Sequence, residues 1–385
     1  MYYKEDDFLM SRIEYPIRVL QIIGIVCGGG VESVILNYYR NIDRTKIQFD
    51  FVVDGQGLEN FDLEVKKMGG KIYHITPYKK NIFKYMYQIF TIVKNNKYLI
   101  VHSNMNTLSF FSLMPAFLAG AKIRILHNHS TAVKSEVLRS FFKYILRPFA
   151  PVFANRFLAC SRVAGEWMYG KKKMRNNEVR ILNNAIDLNL YAFNSEMRAK
   201  YRKELGINSD TFVIGHVGRF MYQKNHEFII DVFNELLKKK PNSKLLLIGD
   251  GPLQNKIKTK VNTLNLNQNV IFLGLRSDVS LLYNLMDVFV LPSWYEGLPV
   301  VSVEAQANGL PCVFSTNVTA ESKLTPYVDF IDLNDSNDVW CDKIISYENT
   351  RNINALPELR DAGFDISNMS LKVGNWYQEL FKSVD

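Results

Sequence analysis

Short apolar, β-rich runs alternate with helix-length stretches along most of this chain, and that alternation admits few folds. Residues 17–26 (IRVLQIIGIV), 49–55 (FDFVVDG), 71–76 (KIYHIT), 98–104 (YLIVHSN), 122–130 (KIRILHNHS), 156–161 (RFLACS) and 179–186 (VRILNNAI) read as strands with helices between them. After about Tyr191 the pattern restarts. A helix over EMRAKYRKELGI precedes strands at 212–219, 244–250, 269–274, 287–293 and 311–316. Alternation of this kind places parallel strands in a sheet covered by helices. The expected class is α/β, with two Rossmann-like, doubly wound parallel-sheet domains facing across a cleft. Their expected bounds are 16–190 and 191–369, followed by a helix in 370–385 that packs back on the first domain.

At 385 residues there is room for two domains of ordinary size, and a composition of 47% hydrophobic and 22% charged residues is that of a soluble globular protein. The four cysteines are far apart and form no CxxC pair, which argues against a zinc site or redox pair and fits a reducing cytosol. The polar start MYYKEDDFLMSRIEYP lacks the pattern of a signal peptide. The longest apolar stretch, 108–121, is shorter than the ~20 residues of a membrane span and reads as a buried helix. Residues 1–200 carry 29 Lys+Arg against 16 Asp+Glu, whereas the remainder carries 18 against 22. A basic first half suits an anionic membrane surface, an anionic acceptor or nucleic acid.

The segment 292–313, PSWYEGLPVVSVEAQANGLPCV, carries the sharpest signal. Pro299 suits a helix start, and Gly309 with Pro311 suits its end. Glu296 is therefore expected on the loop at the strand's C-terminal end, and Glu304 about a turn and a half into the helix. In an open α/β sheet that mouth binds ligands, and the helix N-terminus there favours anions. The two glutamates can be read as paired carboxylates for acid/base work. Their spacing suits better two contacts on one elongated ligand, one to a sugar hydroxyl and one to a ribose diol. Glu304 sits in the apolar run VVSVEAQA, where a carboxylate needs a partner.

Other motifs fall at strand ends. Gly28, Gly29 and Gly30 let backbone N–H groups approach a phosphate or simply make a tight turn, and the run is not GxGxxG. Arg219 and Lys224 in GRFMYQKN can neutralise a diphosphate leaving group without a metal, or can be solvated loop charges. GDGPL at 249–253 reads as a structural turn. His127 and His129 in ILHNHS lie on one side of an extended chain, with no third ligand near enough in sequence for zinc. Two basic-aromatic stretches, 79–97 and 133–153, read as helices. The second places Leu138, Phe141, Phe142, Ile145 and Leu146 at helical spacing beside Arg139, Lys143 and Arg147, as in an interfacial amphipathic helix or an ordinary helix with a basic face.

In order, GGGVE, ILHNHS, FLACS, ILNNAID, GHVGRFMYQKN, IGDGPL, FLG and EGLPVVSVEAQANGLP resemble glycosyltransferase family 4, which has the GT-B fold. The resemblance runs from about residue 17 to 321, and LACSRVAGEWMYG and GRFMYQKNHEFIIDVF look like members that build capsular or exopolysaccharide. It implies a retaining transfer from a nucleotide-diphosphate sugar, expected to be a UDP-sugar, to a lipid-linked oligosaccharide. Carried over by position, the Gly29–Gly30 backbone meets the donor phosphate, Arg219 and Lys224 hold the diphosphate, and Glu296 with the Gly297 and Leu298 backbone holds the sugar. Glu304 binds the ribose, the base lies near Leu275 and Arg276, and His129 or His127 stands by the sugar and acceptor. The family has no metal requirement of the DxD kind, so neither metal nor cofactor is expected. With no well-placed nucleophile, the mechanism implied is front-face attack, a donor phosphate oxygen taking the acceptor's proton. The expected location is cytoplasmic, peripheral on the inner membrane face. Two other readings keep the fold: a sugar-nucleotide epimerase, and a non-catalytic nucleotide-sugar-binding partner of another transferase. Nucleic-acid binding would require basic and aromatic residues on an exposed sheet, and here they fall on helices.

Overall fold

The computed structural model describes residues 16–26, 29–130 and 144–384. They divide into two compact units, one reaching Asn183 and resuming at Ile366, the other spanning Asn184–Asp365. Both junctions differ from the expected 190/191 and 369/370. Leu188 packs in the second unit against Leu298, Val303 and Leu359. Asn308 Nδ2 also donates to the Tyr191 carbonyl, so the turn Leu188–Tyr191 belongs to the second unit.

All seven strands expected of the first unit form one parallel sheet. They are β1 (Ile17–Ile22), β2 (Ile47–Asp54), β3 (Ile72–Ile75), β4 (Ile100–Ser103), β5 (Ile123–Asn128), β6 (Arg156–Ala159) and β7 (Val179–Ile181). The order β3-β2-β1-β4-β5-β6-β7 reverses direction between β1 and β4, the place where such sheets open a crevice at their C-terminal ends. Helices cover both faces, so β2 is buried throughout, Asp50 included. That carboxylate is satisfied by Arg18, by the Lys71 N–H and by the Tyr98 hydroxyl. β7 stops early because the chain leaves the sheet after Ile181, and the Asn183 carbonyl accepts from the Tyr38 hydroxyl.

The apolar stretch 108–121 forms the helix Ser109–Leu118, which buries Leu113 and Ala116 and exposes Phe117 and Leu118. Among the described residues no helix is long and apolar enough to cross a membrane. The last helix, Ile366–Lys382, starts four residues before the expected position and packs on the helix Gly30–Asn41. Its Tyr377 ring meets Phe49 edge-on in the sheet's core.

In the second unit β8 (Phe212–Val217), β9 (Ser243–Ile248), β10 (Val270–Gly274), β11 (Val288–Leu291), β12 (Cys312–Ser315) and β13 (Val328–Ile331) form a parallel sheet in the order β10-β9-β8-β11-β12-β13. β13 was not expected: VDFI is four residues long, with only its two ends buried. One face packs Phe233, Leu245, Leu247 and Trp340, and the other Leu246, Phe289, Leu291 and Phe314. The direction of this sheet reverses between β8 and β11.

Candidate active site

Each unit brings sequence-selected residues to its own reversal point. In the second unit, β8 runs into the loop holding Arg219 and Lys224, and β11 into the loop holding Glu296. The backbone locks the first loop to the GDG turn after β9. Phe220 N–H donates to the Asp250 carbonyl, and Leu253 N–H to the Phe220 carbonyl. Gly249 has φ +133°, and a Cβ there would lie 2.2 Å from the Gly218 carbonyl oxygen, so GDGPL is the structural turn expected of it. Two further contacts tie the β8 loop to the β11 loop: Trp294 N–H donates to the Gln223 carbonyl, and the Tyr222 and Trp294 rings stack at 5.8 Å.

This scaffold places Lys224 Nζ 2.6 Å from Glu296 Oε1, with the two side chains only 14% and 8% exposed. Ser293 Oγ donates to Oε1 of the same carboxylate at 3.0 Å, and Gln223 Nε2 to Oε2 at 3.1 Å. Arg219 is exposed at the start of the loop. Gly297 follows on the loop, and Leu298 buries its side chain while its carbonyl accepts from Asn184 Nδ2 at 2.6 Å.

The helix Val300–Ala307 begins after Pro299 and ends before Gly309, whose φ is +75°, as the proline and glycine positions require. Glu304 does have the partners that its apolar surroundings demand. Tyr191 donates to one carboxylate oxygen at 2.9 Å and Tyr283 to the other at 2.8 Å. Burial raises its pKa, against the opposing pull of the two hydroxyls and of Lys224. A carboxylate offers about four lone-pair sites, and the two tyrosine hydroxyls account for two of them. Leu275 is 79% exposed at the end of β10, and Arg276 is engaged bidentately by Asp278 at 2.8 and 2.7 Å. Neither is drawn into the Lys224–Glu296 cluster.

In the first unit, Gly29 and Gly30 start the helix Gly30–Asn41 after β1, while Gly28 lies outside the described residues. Gly29 has φ −87° and ψ 174°, an extended conformation, so a turn of positive φ is not what it provides. His127 lies near the end of β5 and His129 just past it, and the two rings lie 3.8 Å apart. They differ in access. His127 is 1% exposed, and neither ring nitrogen has a hydrogen-bond partner among the described residues, so it is the less accessible of the two. His129 is half-buried; its Nε2 meets Asn104 Oδ1 at 3.0 Å and its backbone N–H donates to Asn106 Oδ1 at 2.7 Å. Burial pushes its pKa down to about 3, so the ring is neutral near pH 7.

Several holding residues escaped the sequence reading. Ser293, three residues before Glu296, is legible as a polar neighbour, whereas Gln223 lies 73 positions away and is legible only as a polar residue beside Lys224. Tyr191 and Tyr283 are distant in sequence from Glu304 and carry no local cue. Asn104 was findable, as a polar residue at the C-terminal end of the strand beside the reversal point. Of the second basic-aromatic stretch, residues 133–143 lie outside the described residues, Leu138, Arg139, Phe141, Phe142 and Lys143 among them. Residues 144–153 are helical only briefly and then turn, with Ile145, Phe149 and Val152 exposed.

Residues 28–190 match the family described as Glycosyltransferase Family 4, and residues 197–354 the family described as Glycosyl transferases group 1. The chain is 34% identical over 311 residues to the putative glycosyltransferase EpsF of Bacillus subtilis (strain 168), covering 78% of this chain and 80% of that protein. It is 29% identical over 238 residues to the UDP-Gal:alpha-D-GlcNAc-diphosphoundecaprenol alpha-1,3-galactosyltransferase of Escherichia coli, covering 60% and 61%. In fold it resembles the crystal structure of Anabaena Alr3699/HepE in complex with UDP-glucose, with a TM-score of 0.77 and 18% identity over 94% of this chain and 99% of that one.

Proposed function

We propose a specific reaction on the premise that this chain belongs to glycosyltransferase family 4 and is a glycosyltransferase of GT-B fold: retaining, metal-independent transfer of a sugar from a UDP-sugar to a lipid-linked oligosaccharide in capsular or exopolysaccharide synthesis. The observation that carries it is the Lys224–Glu296 pair at the reversal point of the second sheet, with Arg219 on the same loop. A diphosphate arriving there takes over Lys224, and sugar hydroxyls take over Glu296, so an ion pair within the protein is exchanged for one between Lys224 and the diphosphate and for hydrogen bonds from the sugar hydroxyls to Glu296. Arg219 and Lys224 then stabilise the charge that develops on the departing diphosphate. The ribose diol uses the two lone-pair sites that Tyr191 and Tyr283 leave on Glu304. Neutral His129 contacts the sugar and acceptor, and a donor phosphate oxygen accepts the acceptor hydroxyl's proton.

Two printed names support the substrates. The Escherichia coli relative transfers galactose from a UDP-sugar to a diphosphoundecaprenol-linked acceptor. The structure of similar fold holds UDP-glucose. A lipid-linked acceptor also gives a role to the basic, apolar surface of the first unit. There Phe83 and Tyr87 are 82% and 68% exposed on the helix Ile82–Asn96, among exposed Lys79, Lys80 and Lys84. We assign this surface to the anionic inner face of the cell membrane.

The test is thermal stability with UDP, GDP and their sugar conjugates, with and without EDTA. A ligand bound only by the folded state raises the melting temperature. The expected result is a rise with UDP-sugars that survives EDTA and is lost in Lys224→Ala. No rise with any sugar nucleotide, or one abolished by EDTA, would overturn the reading.

A further inference from the structure

In the first unit, His129 stands at one end of a chain of buried hydrogen bonds that reaches the C-terminal helix. His129 Nε2 lies 3.0 Å from Asn104 Oδ1. Asn104 Nδ2 donates to Gln21 Oε1 at 3.0 Å, and Gln21 Nε2 donates to the Tyr377 hydroxyl at 3.2 Å. That hydroxyl lies 2.7 Å from His102 Nδ1. Gln21, His102, Asn104 and Tyr377 are each at most 4% exposed, so water does not substitute for a missing link.

The direction of such a chain is all-or-none. A carbonyl oxygen only accepts and an amide NH2 only donates, so each side chain passes its orientation to the next. With Asn104 and Gln21 oriented as they are, Asn104 Oδ1 accepts and His129 Nε2 must carry the proton. Gln21 Nε2 occupies the Tyr377 oxygen as a donor, so the Tyr377 hydroxyl spends its own hydrogen on His102 Nδ1. Reversing any one link reverses all of them, and both imidazoles change tautomer together.

We propose that Tyr377, acting through Gln21 and Asn104, is a positioning residue that holds His129 as the Nε2–H tautomer. Nδ1 is then the ring's lone pair, so a substrate hydroxyl donates to His129 and does not accept from it. The protein thereby selects the polarity of that contact from a helix over two hundred residues away in sequence. Burial keeps both imidazoles neutral near pH 7, with pKa values pushed down to about 3, so that tautomer is the variable that remains. The assignment of a substrate contact to His129 rests on the proposed function; the coupling of the two tautomers does not.

The experiment is a long-range 1H–15N spectrum of the full chain labelled with 15N-histidine, at pH 7.5. There are six histidines, and the resonances of His129 and His102 are identified by their loss in His129→Gln and His102→Gln. The expected spectrum shows Nε2 protonated and Nδ1 unprotonated in both rings. In Tyr377→Phe the two nitrogen shifts of His129 move toward each other as both tautomers become populated. A wild-type His129 protonated on Nδ1, opposite tautomers in the two rings, or an unchanged His129 in a folded Tyr377→Phe chain would each overturn the proposal. If that variant does not fold, Gln21→Met cuts the chain at another link with the same expectation. Unchanged sugar transfer in His129→Gln, with the wild-type spectrum as expected, would instead remove His129 from the reaction and leave the coupling standing.

Discussion

Lys224 Nζ and Glu296 Oε1 lie 2.6 Å apart, so the two residues assigned to the leaving group and to the transferred sugar neutralise each other before any donor arrives. Their roles separate on mutation. Lys224→Ala removes the diphosphate contact and leaves a mostly buried carboxylate uncompensated, so UDP affinity falls by a factor of about 100 and the folded state loses roughly 3 kcal/mol. Glu296→Gln keeps Lys224 available to phosphate. UDP then binds at least as tightly as to the wild type, while the extra affinity of a UDP-sugar over UDP is lost. Titration calorimetry with both ligands distinguishes the two patterns, and equal losses for UDP in both variants would contradict the assignment.

Glu304 offers a second separation. In Glu304→Ala the Tyr283 hydroxyl loses its acceptor in a fully buried place, which costs about 1–3 kcal/mol of stability. The same change removes the ribose contact. UDP is expected to bind about tenfold more weakly, and 2′,3′-dideoxy-UDP, which lacks both hydroxyls, should bind wild type and variant alike. Full discrimination between UDP and 2′,3′-dideoxy-UDP in the folded variant would place the ribose elsewhere.

What the sequence displayed, and what it hid, divides along physical lines. Most strands are apolar or aromatic enough to read directly, so all seven strands of the first sheet and five of the second were visible, the short and partly exposed β3 and β7 among them. β13 was not: VDFI is short, buries only its end residues and carries the charged Asp329 in its middle. The positions of Glu296, Lys224 and Arg219 in the fold were legible because strand ends, turns and a helix start punctuate the sequence around them. The partners that fix them were not. Tyr283 reaches Glu304 across 21 positions and Tyr191 across 113, and Tyr377 meets His102 across 275, contacts that only the fold creates. His127 and His129 were alike in sequence, and only burial tells them apart.

Phe83 and Tyr87 lie one helical turn apart on a helix whose Tyr85, Ile89 and Val93 face the core, so removing them leaves packing intact. The double variant Phe83→Ser, Tyr87→Ser is expected to keep the wild-type melting temperature. Its partition onto vesicles containing anionic phosphatidylglycerol should fall at least about tenfold, since inserting a single aromatic ring is worth more than 1.4 kcal/mol. Neutral phosphatidylcholine vesicles should bind both proteins weakly, because the lysines around the rings supply part of the attraction. Equal sedimentation of variant and wild type with anionic vesicles would dismiss this surface.

The buried histidines are expected to make both units acid-labile. Burial pushes His102 in the first unit down to about 3 and His216 in the second down to about 4. Their unfolded-state value is about 6.5, so below that pH the unfolded chain binds protons that the folded chain refuses. The stability these groups contribute is therefore complete above about pH 6.5 and is lost as pH falls toward their folded values, at about 1.4 kcal/mol per pH unit for each. Urea unfolding at pH 7.5, 6.0 and 5.0 should show midpoints that drop steeply below pH 6.5. His102→Gln keeps an acceptor for the Tyr377 hydroxyl and cannot titrate, so it should flatten the loss for the first unit by about one histidine's slope. A variant as acid-sensitive as the wild type would mean that His102 does not remain neutral in the folded chain.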